Sequence, residues 1–113
     1  MLSKVLGASS ALLLVCASSA SAAGSMLTSW YGPGFHGRLT ANGEVFNEMG
    51  YTAAHKSLPF GTTLQVCYRS CVRVRINDRG PFISGRELDL SRGAAEAIGL
   101  TSVGVDYVNY SYK

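Results

Sequence analysis

Two histidines, three cysteines and three prolines are all that this 113-residue chain holds of those types, and their scarcity removes whole classes of function. Cys16 lies in an N-terminal apolar run, which leaves Cys67 and Cys71 as a Cys-x3-Cys pair with no second pair and both histidines upstream. Structural zinc sites need four such ligands, and a redox dithiol is more typically Cys-x-x-Cys at a helix start, so neither metal nor redox cofactor is expected. No segment approaches the roughly 20 consecutive apolar residues of a membrane span. Charge is sparse as well, at 15% of residues with a net +3. A nucleic-acid binder shows a dense basic stripe, and none is present. Arg69, Arg73, Arg75, Arg79 and Arg86 are concentrated mid-chain. They form either a solvated strand face, the default for charged residues, or a surface toward an anionic polymer such as a cell wall.

The N-terminus sets the compartment. Lys4 precedes an apolar stretch over 5–17, then a small-residue tract in which Ala20-Ser21-Ala22 fits a signal-peptidase site. Residues 1–22 read as a removed export signal, leaving a 91-residue domain over 23–113 in the periplasm or secreted medium. Leu13-Leu14-Val15-Cys16 also resembles a lipoprotein cleavage box, with Cys16 as the lipidated residue; Val15 occupies the place of a small residue, so lipid anchoring ranks second. The expected product is a soluble monomer. A small domain benefits from a staple, and in an oxidising compartment Cys67 and Cys71, flanking Tyr68-Arg69-Ser70, are expected to form a disulfide across a hairpin turn. So short a loop places its contribution at the low end of about 2–4 kcal/mol.

Period-two alternation and turn residues predict strands over 26–31, 44–46, 52–54, 62–66, 72–77, 87–90 and 105–112. One helix over 92–98 is expected, with Ser91 as its cap, Ala94, Ala95 and Ile98 as its apolar face and Gly99 as its stop. In the last strand Val108, Tyr110 and Tyr112 share a face and are expected to close the core. Many short strands with glycine turns and one small helix predict an all-β fold, a small closed barrel, since closure removes exposed edges.

Chemistry concentrates at a few places. Asn77-Asp78-Arg79-Gly80-Pro81-Phe82 follows the alternating strand of Val72, Val74 and Ile76 and sets Asp78 at a strand end, a rigid platform with solvent access. Asp78 can equally pair with Arg79 or cap the turn. Trp30 and Tyr31 open an aromatic, glycine-rich loop that suits stacking on sugar rings or capping of the core. Asn42-Gly43 forms a tight turn delivering Glu44, which is otherwise an ordinary solvated carboxylate. His55 ends the small strand Thr52-Ala53-Ala54, where it can orient a carboxylate or serve as a structural hydrogen-bonding group. Asp89, between Leu88 and Leu90, can accept hydrogen bonds from the helix N-terminus.

In order along the chain, five stretches resemble the rare lipoprotein A (RlpA) domain. They are Ser29-Trp30-Tyr31-Gly32, Gly37 to Phe46, Thr52-Ala53-Ala54-His55-Lys56 through Thr62, Val74 to Phe82, and Asp89-Leu90-Ser91. The resemblance implies a six-stranded double-psi β-barrel, shared with expansins and some endoglucanases. It implies endolytic cleavage of peptidoglycan glycan strands between N-acetylmuramic acid and N-acetylglucosamine, with no cofactor. By similarity Asp78 is the main catalytic acid, Glu44 and His55 match the other active-site positions, Trp30, Tyr31 and Arg79 fall to substrate binding, and Asp89 matches the second aspartate of the expansin groove. Two departures stand out: the hairpin between Cys67 and Cys71 is short and cysteine-bounded, and no counterpart of the C-terminal glycan-binding SPOR module of many members is expected within these residues.

A lytic reaction needs a carboxyl that protonates the leaving oxygen and then takes the proton of the sugar's own C6 hydroxyl, the acid-to-base switch that retaining glycosidases use. Asp78 is the expected carboxyl, with Glu44 and Asp89 as neighbours and His55 orienting one of them. A close Arg79 would oppose this by favouring the ionised form. A non-lytic, expansin-like polysaccharide binder would use the same groove without turnover, and a hydrolase would deliver water to the same bond.

Overall fold

The structure is a computed structural model that describes residues 23–113, so the expected export signal over 1–22, including Cys16, lies outside the described residues. Six strands and one helix follow in chain order: β1 Ala23–Trp30, β2 Thr52–His55, β3 Thr63–Cys67, β4 Cys71–Asp78, β5 Leu88–Leu90, α1 Arg92–Ile98 and β6 Asp106–Tyr112. The strands close into a barrel in the order β1-β5-β2-β4-β3-β6. β1 with β5 and β2 with β4 are parallel, and the other neighbouring pairs are antiparallel.

Alternation decides which side chains fill the barrel. Leu64 and Val66, Val74 and Ile76, and Leu88 and Leu90 point inward and are fully or almost fully buried, while Arg73 and Arg75 face water. Leu100, Val108 and the apolar face of α1 complete the core. Ser91 Oγ accepts the Ala94 N–H at the start of α1, and Gly99 ends it in the left-handed conformation (φ 81°). Gly93 lies so close to the preceding loop that a Cβ there would stand 2.4 Å from the Met49 carbonyl oxygen. Cys67 and Cys71 face each other in the β3–β4 register and form the expected disulfide.

Two expectations fail. No strand forms over 44–46; the segment makes a single antiparallel bridge, Leu39 with Val45. The turn at Thr40–Glu44 folds the chain back on itself, through Gly43 N–H to Thr40 O and Thr40 N–H to Glu44 O, so residues beyond it have no long partner strand. Tyr112 is 37% exposed and does not close the core. β6 ends at the barrel rim, so only Val108 is fully inside, with Tyr110 packed partly against it.

Candidate active site

The β2 strand places the two aspartates. Ala54 is the register partner of Asp78 on β4 and of Asp89 on β5, and Asp89 in turn pairs with Ser29 on β1. Ser29, Asp89, Ala54 and Asp78 therefore form one row across four strands on the outer face of the barrel. The two aspartate Cα positions are separated by two interstrand spacings of about 4.8 Å each.

Asp78 reaches this row because of a β-bulge. Ala53 pairs with Ile76 but Ala54 pairs with Asp78, leaving Asn77 as an extra residue on β4. Strict alternation from Val74 and Ile76 would have sent Asp78 into the core; the bulge turns it outward. A cleft of roughly 260 Å³ opens there, lined by Tyr31, Phe35, Ala54, Asp78, Asp89 and the loop from Arg79 to Ile83.

Three donors hold the Asp78 carboxyl. The Tyr31 hydroxyl donates to Oδ2 at 2.8 Å, and the backbone N–H groups of Ala41 and Arg79 donate to Oδ1 at 2.8 and 2.9 Å. Tyr31 is itself wedged, stacked on Phe46 at 4.6 Å between centroids and edge-on to Phe35 at 5.6 Å. Burial, then the bond to Asp78, push its phenol well above the ordinary value, so it remains a donor.

Asp89 is a half-buried carboxyl. Burial raises its pKa from 3.8 to about 6; the Ser29 hydroxyl, donating to Oδ1 at 3.1 Å, and Arg86 oppose the rise, and Asp78 adds to it. The helix N-terminus is served by Ser91 instead, so Asp89 does not take the capping part open to it in the sequence.

Glu44 and His55 do not line this cleft. Glu44 forks onto Arg75 at 2.5 and 2.9 Å and accepts from Asn42 and Asn77, contacts that bring its carboxyl down to about 2. His55 Nδ1 accepts the N–H groups of Ser57 and Leu58, closing the turn after β2 rather than orienting a carboxylate through that nitrogen. Burial lowers its pKa, with Arg79 and Lys56 acting in the same direction and Glu87 against. Arg79 is not ion-paired with the Asp78 carboxyl: its guanidinium sits 3.9 Å over the Phe60 ring and donates to the backbone carbonyls of His55 and Asp78. Trp30 packs partly against the core and borders a second hollow with Tyr31, Pro33, Glu48 and Arg92. Among the described residues no group of three or more His, Cys, Asp or Glu is placed to hold a metal ion.

Sequence reading missed Ser29, the Ala41 amide, the Asn77 bulge and the floor made by Ala54. Only Ser29 carried a signal, as a polar residue beside the Trp30-Tyr31 loop; the others depend on pairing between distant segments.

A closed six-stranded barrel in which β4 and β5, on either side of β2, each present one aspartate to a single outer cleft is a double-psi β-barrel. The family model described as lytic transglycolase matches residues 22–110, and the chain belongs to that family. It is 61% identical over 85 residues to the probable endolytic peptidoglycan transglycosylase RlpA of Synechocystis sp., covering 73% of this chain and 26% of that protein. It is 52% identical over 81 residues to the endolytic peptidoglycan transglycosylase RlpA of Campylobacter jejuni, covering 69% of this chain and 30% of that protein. The chain thus spans under a third of these two relatives. Among solved structures, the Clavibacter michiganensis expansin aligns with a TM-score of 0.66 at 20% identity, covering 81% of this chain and 50% of the expansin. The Streptomyces papain inhibitor aligns at 0.64 and 18% identity, covering 80% and 94% of the two chains. Both share the fold.

Proposed function

We propose that this chain is an exported lytic transglycosylase that acts as a monomer on peptidoglycan glycan strands, cutting between N-acetylmuramic acid and N-acetylglucosamine with a 1,6-anhydro product. The observation that carries the reading is the pairing of Asp78 and Asp89 across Ala54, because it supplies two carboxyls of different character in one cleft. The relatives, named as endolytic peptidoglycan transglycosylases, support the substrate class.

Asp89, held protonated toward pH 6 by burial, is suited to give its proton to the leaving glycosidic oxygen. Asp78, fixed by Tyr31 and two backbone amides, is suited to take the C6 hydroxyl proton as that oxygen attacks C1. The C1–O bond to the leaving sugar breaks, the C6–O–C1 bond forms, and no water is consumed. Relative to the sequence expectation, the acid and base steps divide between two carboxyls, and Arg79 stands aside over Phe60. Tyr31 and the rim at Phe35 and Phe82 offer apolar surface to sugar rings. The domain over 23–113 would be released by cleavage after residue 22.

The test is digestion of purified glycan strands, with and without stem peptides, followed by mass spectrometry of the products. Anhydro ends released by the wild type and lost in Asp78→Asn and Asp89→Asn are expected. Reducing ends would replace the reading with hydrolysis, and wall co-sedimentation without any product would replace it with expansin-like binding.

A further inference from the structure

We infer that Glu44, with Arg75 as its partner, is a positioning residue for Asp78 that acts through the 40–44 turn and the Ala41 amide. Each Glu44 oxygen already accepts two donors: Oε1 from Arg75 Nη2 and Asn77 Nδ2, Oε2 from Arg75 Nη1 and Asn42 Nδ2. Two acceptances per oxygen use the directions in which a substrate hydroxyl would bind. The carboxylate also does not line the cleft that holds Asp78 and Asp89.

What it touches explains its place. Arg75 and Asn77 belong to β4, and Asn77 is the bulge residue that aims Asp78. Asn42 belongs to the turn, where its Oδ1 accepts the Thr40 hydroxyl at 2.6 Å and the Glu44 N–H at 3.2 Å, and its own N–H donates to Asn77 O at 3.3 Å. Glu44 therefore ties the turn to the bulge at both ends. Between them Ala41 is held with its N–H 2.8 Å from Asp78 Oδ1. The Arg75–Glu44 pair is 44% and 38% exposed at its side chains, and an ion pair so open to water contributes little to global stability. Its work is local: it keeps one donor aimed at one carboxylate oxygen.

The rate arm of the test rests on the proposed lytic activity; the exchange arm does not. Glu44→Ala and Arg75→Ala are each expected to lower kcat about tenfold, as small misplacements of a reacting group do. KM should stay within about twofold and both limbs of the pH–rate profile should remain, since no titrating catalytic group is removed. The double variant should be no slower than either single one, because both break the same tie. Glu44→Gln, which keeps one accepting oxygen but turns an amide NH2 toward two donors, should recover only part of the rate. In the exchange arm, the Ala41 amide should exchange with deuterium about tenfold faster in either alanine variant, while the amides of β3 and β4 keep their protection. Arg75→Ala at wild-type rate, or Glu44→Ala losing one limb of the profile, would overturn the inference, as would unchanged Ala41 exchange. If the wild type releases no product, the lytic reading falls alone and the exchange arm still decides. Should Glu44→Ala not fold, Arg75→Ala carries the same expectations from the other end of the pair.

Discussion

Replacing Asp89 by Asn should stabilise the protein above pH 6 while abolishing turnover. In the folded protein the Asp89 carboxyl titrates near 6, against an ordinary value of 3.8, chiefly because it is buried beside Ser29 and faces Asp78. Below pH 3.8 the group is protonated in both states and contributes no difference. Between 3.8 and about 6 the unfolded chain releases the proton while the folded one keeps it, so wild-type stability falls as pH rises through this window and levels off above it. The gap between 3.8 and about 6, at about 1.36 kcal/mol per pH unit, sets a ceiling of ~3 kcal/mol. Water at the cleft mouth relieves part of this, which leaves about 1–2 kcal/mol. Asparagine keeps an oxygen for the Ser29 hydroxyl and cannot ionise, so it escapes the cost. Urea titrations of wild type and Asp89→Asn from pH 4 to 7.5 should therefore diverge with rising pH, and melting temperatures at pH 7 should differ by about 5–10 °C for a domain of this size. A stability difference that is flat across the range would refute the reasoning, because it would mean that Asp89 carries no burial penalty when ionised.

Two further predictions concern neighbouring contacts. Tyr31→Phe keeps the stack on Phe46 but removes the donor to Asp78 Oδ2; glycan cleavage assays should show kcat reduced about tenfold with KM little changed, in line with a hydrogen bond to a carboxylate. Gly93→Ala inverts the usual helix rule: alanine normally gains ~1 kcal/mol over glycine in a helix interior. Here its Cβ would meet Met49 backbone at 2.4 Å, so denaturation should show a loss of about 2 kcal/mol or more. A neutral result would remove that contact.

Much of the barrel was legible in the chain because its strands obey local rules. The Val72, Val74, Ile76 alternation and the Ser91 to Gly99 frame of the helix need only neighbours in sequence, and both elements formed where they were expected. Asp78 was legible as a strand end for the same reason. What stayed hidden depends on pairing across the barrel. Period-two counting cannot announce that Asn77 is supernumerary, since that is a relation between β4 and β2. The Tyr31 hydroxyl meets a carboxyl 47 residues away, which no local pattern encodes. Glu44 and His55 were grouped with Asp78 through resemblance, and each has partners of its own instead: Arg75 with two asparagines for one, a backbone turn for the other. The strand expected over 44–46 gave way to a turn closed between Thr40, Gly43 and Glu44 and tied to β4 through Ala41 and Asn42.

The bulge at Asn77 makes the cleft a matter of parity. One residue too many on β4 is what moves Asp78 from the side that holds Val74 and Ile76 to the side that holds Asp89. Delete that residue and the strand can still pair, the core can still fill and the helix can still dock, yet the carboxyl would face inward among leucines and isoleucine. Barrel and cleft are thus separable by a single count along the chain: the same architecture can exist with two outward aspartates or with one, and only the odd residue distinguishes a surface that holds both from a surface that does not.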